Sequence, residues 1–310
     1  MILCNSLLGA NSVPFLPVLQ LYLDSFDSTS ITKTYQNLAA TGTGTSGTTV
    51  ITASGSVASL VKAGELLRIG GTDIYTVLSV TGAGLTINTV ETLSTNYVAQ
   101  AMALDRVSQW NDKSGKGNHV TQGTALIQPV YNPAQLNSNA VISFDGTNAL
   151  VLPSALYSIA NGANTIFVTS KRDTEAGTTN VVLSLGEGAD VNRTALSYNS
   201  TSGQVIFINH AGAGSSVTKS GNTNTNYQIL MGSFNGGTGL TVNTNNGTAA
   251  TSTTGAVSSA VDRGSIGART SSSLFLIGDI AQIVVYNRLL STTEIIQVNK
   301  FLAQKTGITI

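Results

Sequence analysis

Apolar and polar residues alternate along most of this chain, a period of two that predicts strands with one face toward a core. The run VLQLYLDS (18–25) sets Val18, Gln20 and Tyr22 on one side against Leu19, Leu21 and Leu23 on the other. The same alternation returns at 139–146, 164–172, 181–188, 204–210, 226–234, 240–247, 263–269 and 275–288. Clusters of Gly, Asn, Asp and Ser bound each run, and their permissive dihedrals and short side chains suit turns. Many short strands at this spacing predict an all-β, antiparallel two-sheet sandwich. One helix breaks the pattern near the C-terminus. Ser291 followed by Glu294 reads as a capping box, Ile295, Val298 and Leu302 share one face, and Gly307 is placed to end it.

Residues 38–103 differ from their flanks. They contain no Trp or Phe and carry short runs such as TTVITAS, GELLRIGG, DIYTVLSV and GLTINTV. These predict a small inserted β-barrel of five or six strands, with Tyr75, Val77, Leu78, Leu66, Leu67 and Ile69 as its core. The sandwich is then discontinuous, 18–37 and 104–310, with the barrel set into one of its loops. Residues 1–17 are apolar with two prolines and precede the first confident strand. They read either as an arm reaching a neighbouring subunit or as a segment packed on the chain's own sheet.

Composition narrows the function classes. Lys and Arg number 15 and Asp and Glu 15, so the formal charge is zero and no basic stripe points to nucleic acid. Charged residues make up 10% of the chain, against roughly 25% in ordinary globular proteins. Thr, Ser, Asn and Gly supply 133 of the 310 positions, so the polar faces are mostly neutral hydroxyls and amides. Such faces pack against one another without charge repulsion and offer many hydrogen bonds to sugars. The lone Cys4 excludes an internal disulfide or a Cys-cluster metal site. No apolar run reaches the length of a membrane span, so membrane insertion is not expected. The first residues lack the basic start of a signal peptide.

The flanks of the inserted segment resemble the laminin-G/concanavalin-A-like family common in phage and bacterial surface proteins. The resemblance rests on LQLYLDS (19–25), VSQWNDKSGKGNHVTQ (107–122), AVISFDGTNALVLP (140–153), TIFVTSKR (165–172) and the closing strand and helix at 278–308. It covers 18–36 and 104–310 and implies a concanavalin-A-like, jelly-roll sandwich. The segment 38–103 is similar, more loosely, to a small barrel module of tailed-phage fibre and tail proteins.

The densest polar cluster is Trp110, Asn111, Asp112, Ser114, Gly115, Gly117, Asn118 and His119. As a glycan site, Trp110 would stack on a sugar face while Asn111, Asp112, Asn118 and His119 met hydroxyls. As a structural loop, Trp110 would cover the sandwich edge while Asp112 and Asn118 tied down the glycine turns. Candidate calcium oxygens are Asp112, Asp145, Asn148 and Asp279, although no window resembles an Asp-rich calcium loop. No other cofactor is expected. None of the alternating runs carries two acids at alternate positions, the pattern that aims a glycosidase pair into a cleft. His119 and His210 stand in no metal spacing, and no nucleophile elbow or P-loop is present.

These readings lead to an expectation of a non-enzymatic structural component of a tailed-phage virion, a capsid decoration or a tail or fibre appendage. It would sit on the particle surface among other virion proteins as a homo-oligomer, with trimers common in such parts, and its sandwich would face cell-surface glycans. The alternatives are a secreted or cell-surface carbohydrate-binding lectin module and a carbohydrate-active enzyme.

Overall fold

The computed structural model describes residues 13–310 apart from 175–176, 187–191, 212–214, 222–224, 258–260 and 270–272. Alternation becomes two antiparallel layers. One layer runs Val130–Leu136, Asn139–Asp145, Ile277–Tyr286, Asn164–Arg172, Gln228–Phe234, Leu240–Thr244 and Ala250–Ser252. The strand Leu19–Asp24 pairs with the other half of Ile277–Tyr286, in line with Asn139–Asp145. The second layer runs Ile31–Gly44, Tyr97–Trp110, Val120–Thr121, Leu150–Val151, Arg263–Ile266, Asn180–Gly186, Asn192–Tyr198, Val205–Ala211 and Ser216–Lys219. Between the layers lies the main core, with Leu23, Ile142, Ile166, Val168, Ile283 and Val285 meeting Leu183, Leu196, Tyr198 and Phe207. This is an all-β, concanavalin-A-like two-sheet sandwich.

Bulges decide which side chains reach that core, because one extra residue flips the face of everything beyond it. Leu19 pairs with Tyr286 but Leu21 with Val285, so Gln20 is the extra residue. Leu21 and Leu23 therefore enter the main core, while Leu19 joins Tyr22 on the opposite face. The simple alternation read from 18–25 holds only beyond that bulge.

The outer face of the first layer is covered by the helix Thr292–Thr306, whose Val298, Phe301 and Leu302 pack on Tyr22, Phe167, Ile229, Met231 and Tyr286. Its start has the capping box expected from Ser291 and Glu294, and Gly307 closes it at φ 71°. Arg288 donates to both oxygens of Glu294, at 2.8 and 2.6 Å, and the Ser291 amide donates at 2.8 Å. The Arg288 hydrogen bonds, more than the partial burial that opposes them, hold the Glu294 carboxyl at about 2 rather than 4.5. A carboxyl depressed in the folded state stabilises fully above its unfolded value and loses that contribution as pH falls through the folded one. Thermal melts of the native chain and Glu294→Gln are therefore expected to differ at pH 7 and converge between about pH 4.5 and 2. A constant gap across that window would contradict the role of the ion pair.

Of the N-terminal segment read as an arm, residues 1–12 lie outside the described residues. Val13 is buried against the helix-side cluster, Phe15 packs on it, and Pro14 accepts a hydrogen bond from the Tyr286 hydroxyl at 2.9 Å. The described part of that segment thus lies on the chain's own sheet.

A second core draws only on residues between Leu38 and Leu104. Around it Ile31–Gly44, Val50–Ala53, Thr86–Thr89, Asp73–Thr81, Leu66–Ile69 and Tyr97–Trp110 pair in a closed six-stranded ring. Closure leaves no free edge. Tyr75, Val77, Leu67 and Ile69 point inward as expected, but Leu78 is 59% exposed and Leu66 only half-buried. They alternate with the inward residues, and a bulge between Val77 and Ser79 leaves Leu78 unpaired. The ring is not hung from a loop. Its two longest strands run unbroken out of the sandwich, paired from Ile31–Trp110 to Gly44–Tyr97.

Candidate functional site

The cluster around Trp110 is a structural knot. Trp110 is fully buried in the main core with Val107 and Val120, so its ring face is not available to a sugar. The cause is another bulge: Val107 pairs with Lys33 and Gln109 with Thr32, leaving Ser108 as the extra residue. Strict alternation from Val107 would have put Trp110 outside. Asp112 Oδ1 accepts the amides of Tyr22 and Ser114, at 3.0 and 2.8 Å, and its Oδ2 accepts the Asn118 amide at 2.9 Å. Asn118 Nδ2 donates to the Gln20 carbonyl at 2.7 Å, and His119 Nδ1 accepts the Asp112 amide at 3.0 Å. Asn111 Oδ1 accepts from Gln109 Nε2. These five residues close a turn onto the first strand, and the buried Trp110 offers no ring face for the sugar stacking read for it.

The calcium set is not assembled either. Asp112 has its oxygens on the turn just described, with no contact to Asp145, Asn148 or Asp279. Asn148 Oδ1 accepts the Asp145 amide at 3.0 Å, as the DGTN turn requires. Among the described residues no group of three or more His, Cys, Asp or Glu is arranged to hold a metal.

Asp145 and Asp279 do come together, in a different setting. Four neighbouring strands aim residues at one face, Val130 and Asn132, Ser143 and Asp145, Ile277 and Asp279, and Lys171, with Asp173 just beyond the end of the last. Register aligns them, with Val130 and Asp279 both opposite Ser143 and Lys171 opposite Asp279. This is the outer face of the first layer; Phe167 lies beneath the helix and Lys171, four residues on, lines the cleft. The far wall is the turn holding Lys62, Ala63 and Glu65, from the ring. Gly64 brings that wall close. It sits at φ 86°, and a Cβ there would lie 2.8 Å from Gln135 Nε2 and 3.0 Å from Asn132 Nδ2. The result is an open cleft of about 180 Å³ between ring and sandwich.

Its charges are paired. Lys62 lies 3.3 Å from Asp145, and Lys171 lies 3.3 Å from Asp279 and 3.5 Å from Asp173. Burial pulls the Lys171 ammonium down, but Asp279 and Asp173 outweigh it and hold it above its ordinary value. Burial would raise the Asp145 carboxyl, yet Thr147 and Lys62 hold it below. Asp279 also accepts from Ser143 Oγ at 2.6 Å and from the Tyr227 hydroxyl. Glu65 is 5% exposed, and burial raises its carboxyl despite Arg106 at 3.6 Å. One polar lining group stands apart. Asn132 is 7% exposed, and its side-chain amide lines the cleft with no hydrogen-bond partner among the described residues.

Sequence reasoning missed Asn132, Gln135, Lys62, Glu65, Lys171 and Asp173. The spacings of two at 143/145, 171/173 and 277/279 are visible, but nothing in the chain says that those strands adjoin.

No family model matches the chain, and no curated protein matches it. Among solved structures it is similar to Trypanosoma rangeli sialidase, at 20% identity and TM-score 0.46 over 64% of this chain and 31% of that one. It is also similar to the CBM40 of the Ruminococcus gnavus IT-sialidase bound to alpha2,3 sialyllactose, at 20% identity and TM-score 0.44 over 51% of this chain and 96% of that one. The chain thus spans less than a third of the sialidase chain. A likeness of this degree says nothing of a ligand.

Proposed function

We propose that the chain is a non-enzymatic carbohydrate-binding module whose ligand surface is the cleft between ring and sandwich. The observation that carries this reading is Asn132, a nearly buried amide with donors and an acceptor left over in a cleft otherwise walled by hydroxyl, amide and paired charges. Its polar atoms open onto the cleft and are not engaged by the fold, so they are free to meet a pair of ligand hydroxyls. Ile277 gives the cleft an apolar surface against which a sugar ring rests. The absence of a carboxylate free of a cationic neighbour among Asp145, Asp279 and Glu65 favours binding over hydrolysis.

The isolated chain is expected to retain glycans on an array and to release no fragments from polysaccharides. Asn132→Leu should weaken binding at least about tenfold, the effect of one buried hydrogen bond of ~1.4 kcal/mol. Gln135→Ala, at an exposed position on the rim, should weaken it without touching the fold. Full binding by both variants, measured by calorimetry, would remove the cleft from consideration.

A second reading concerns where such a module works. The equal count of acidic and basic residues and the hydroxyl-rich faces suit close packing in a tailed-phage particle, as a capsid decoration or a tail or fibre appendage bound to other virion proteins. In that setting the chain is a homo-oligomer such as a trimer on the virion surface. Purified particles lacking this chain on electron microscopy and peptide mapping would dispose of it.

A further inference from the structure

The cleft's charge arrangement selects among sugars. Four carboxylates belong to it, Glu65, Asp145, Asp173 and Asp279, against the ammoniums of Lys62 and Lys171. Arg106 stands behind Glu65 as a third cation. The balance is one negative charge in excess. Both lysines are already engaged by carboxylates at 3.3 Å, and Arg106 is 5% exposed and donates to Gln36 at 2.7 Å. An acidic sugar brings its own carboxylate or sulfate and needs a cation to receive it. Here such a group would face Asp173, half-exposed at the mouth, and would have to displace a carboxylate from each lysine it reached. Like charges at contact range in a partly enclosed site repel strongly. Hydroxyls meet no such barrier, and the Asn132 amide matches a neighbouring pair of them with one donor and one acceptor.

We infer that the cleft takes uncharged glycans and turns away sugars that bear carboxylate or sulfate. This rests on the carbohydrate-binding reading given above and names the ligand class for the same site. Asp173 is then a specificity-determining residue. Its carboxylate is 49% exposed, so its exchange leaves the core packing alone.

The test is calorimetry and array binding of the full chain with neutral oligosaccharides, sialyllactose and a sulfated oligosaccharide, for the native protein and Asp173→Lys. The native chain is expected to bind at least one neutral glycan and to bind acidic ones at least about tenfold more weakly. Asp173→Lys should narrow or reverse that ratio by strengthening acidic binding more than it changes neutral binding. Acidic glycans that bind the native chain as tightly as neutral ones, in a manner lost with Asn132→Leu, would overturn this inference while leaving the carbohydrate-binding reading in place. An unchanged ratio in Asp173→Lys would overturn it in the same way. Silence toward every glycan class would instead overturn the carbohydrate-binding reading, and this inference with it.

Discussion

Trp110→Ala is expected to cost about 3–5 kcal/mol of stability, the range for truncating a large aromatic in a packed core. Trp110 is entirely inaccessible, sits at the paired end of the strand Tyr97–Trp110, and shares the main core with Val107 and Val120. Its removal leaves a cavity that strands held on both sides, at Ile31 and Val120, cannot close. The indole N–H has no hydrogen-bond partner among the described residues, so Trp110→Phe, which deletes that donor, should cost far less than Trp110→Ala. Denaturant unfolding followed by fluorescence of the tyrosines and by circular dichroism measures both. Glycan binding by the folded fraction of Trp110→Ala should be unchanged. A variant of native stability that had lost its ligand would reverse this assignment and return Trp110 to the surface.

Asp24→Ala should be the most damaging single change among the charged residues, at roughly 3 kcal/mol. Asp24 is 1% exposed and anchors four parts of the chain. It accepts from Lys305 Nζ at 2.5 Å and from the Tyr22 hydroxyl at 2.9 Å, and Gln282 Nε2 and the Phe26 amide donate to its other oxygen at 3.3 Å. Truncation leaves Gln282 and the Tyr22 hydroxyl buried without an acceptor, which is where most of the cost arises. Lys305 belongs to the last turn of the helix, so the same change should loosen helix docking. Hydrogen exchange of the helix amides would report that directly. Asp24→Asn, which keeps an acceptor oxygen, is expected to lose less. Equal stability of Asp24→Ala and the native chain would show that these contacts contribute nothing.

Much of the architecture was legible because it rests on local rules. The capping box at Ser291, the terminator at Gly307 and the apolar face through Val298 and Leu302 are properties of a single helix, and the structure has each of them. Alternation found the strands and the inward residues Tyr75, Val77, Leu67 and Ile69 of the ring. It failed where one extra residue entered a strand. The bulge at Gln20 sent Leu19 to the helix side, and the bulge at Ser108 turned Trp110 from a surface aromatic into a core one. No propensity marks those positions. The cleft was illegible for a different reason: the hairpin carrying Asn132 and Asp145 meets Lys171 and Asp279 only through the order and register of strands far apart in the chain. Two of its residues, Asp145 and Asp279, were singled out for their oxygens, but the lysines that partner them change their chemistry from metal ligands to elements of a polar wall.

The way the ring is rooted also fixes how this molecule carries load. Leu19 lies opposite Tyr286, but residue 310 is reached through the helix, so a pull on residue 13 against residue 310 loads the helix docking at Asp24 and Lys305 before the end of that ladder. The ring leaves and re-enters the sandwich through two adjacent strands, and such a pull bypasses it. Force applied through the ring instead travels along the long ladder from Gly44–Tyr97 to Ile31–Trp110 and straight past the cleft wall. Tethered by its ends, this chain would be loaded first at the helix; tethered by its ring, it would carry tension along the two long strands that pass the cleft.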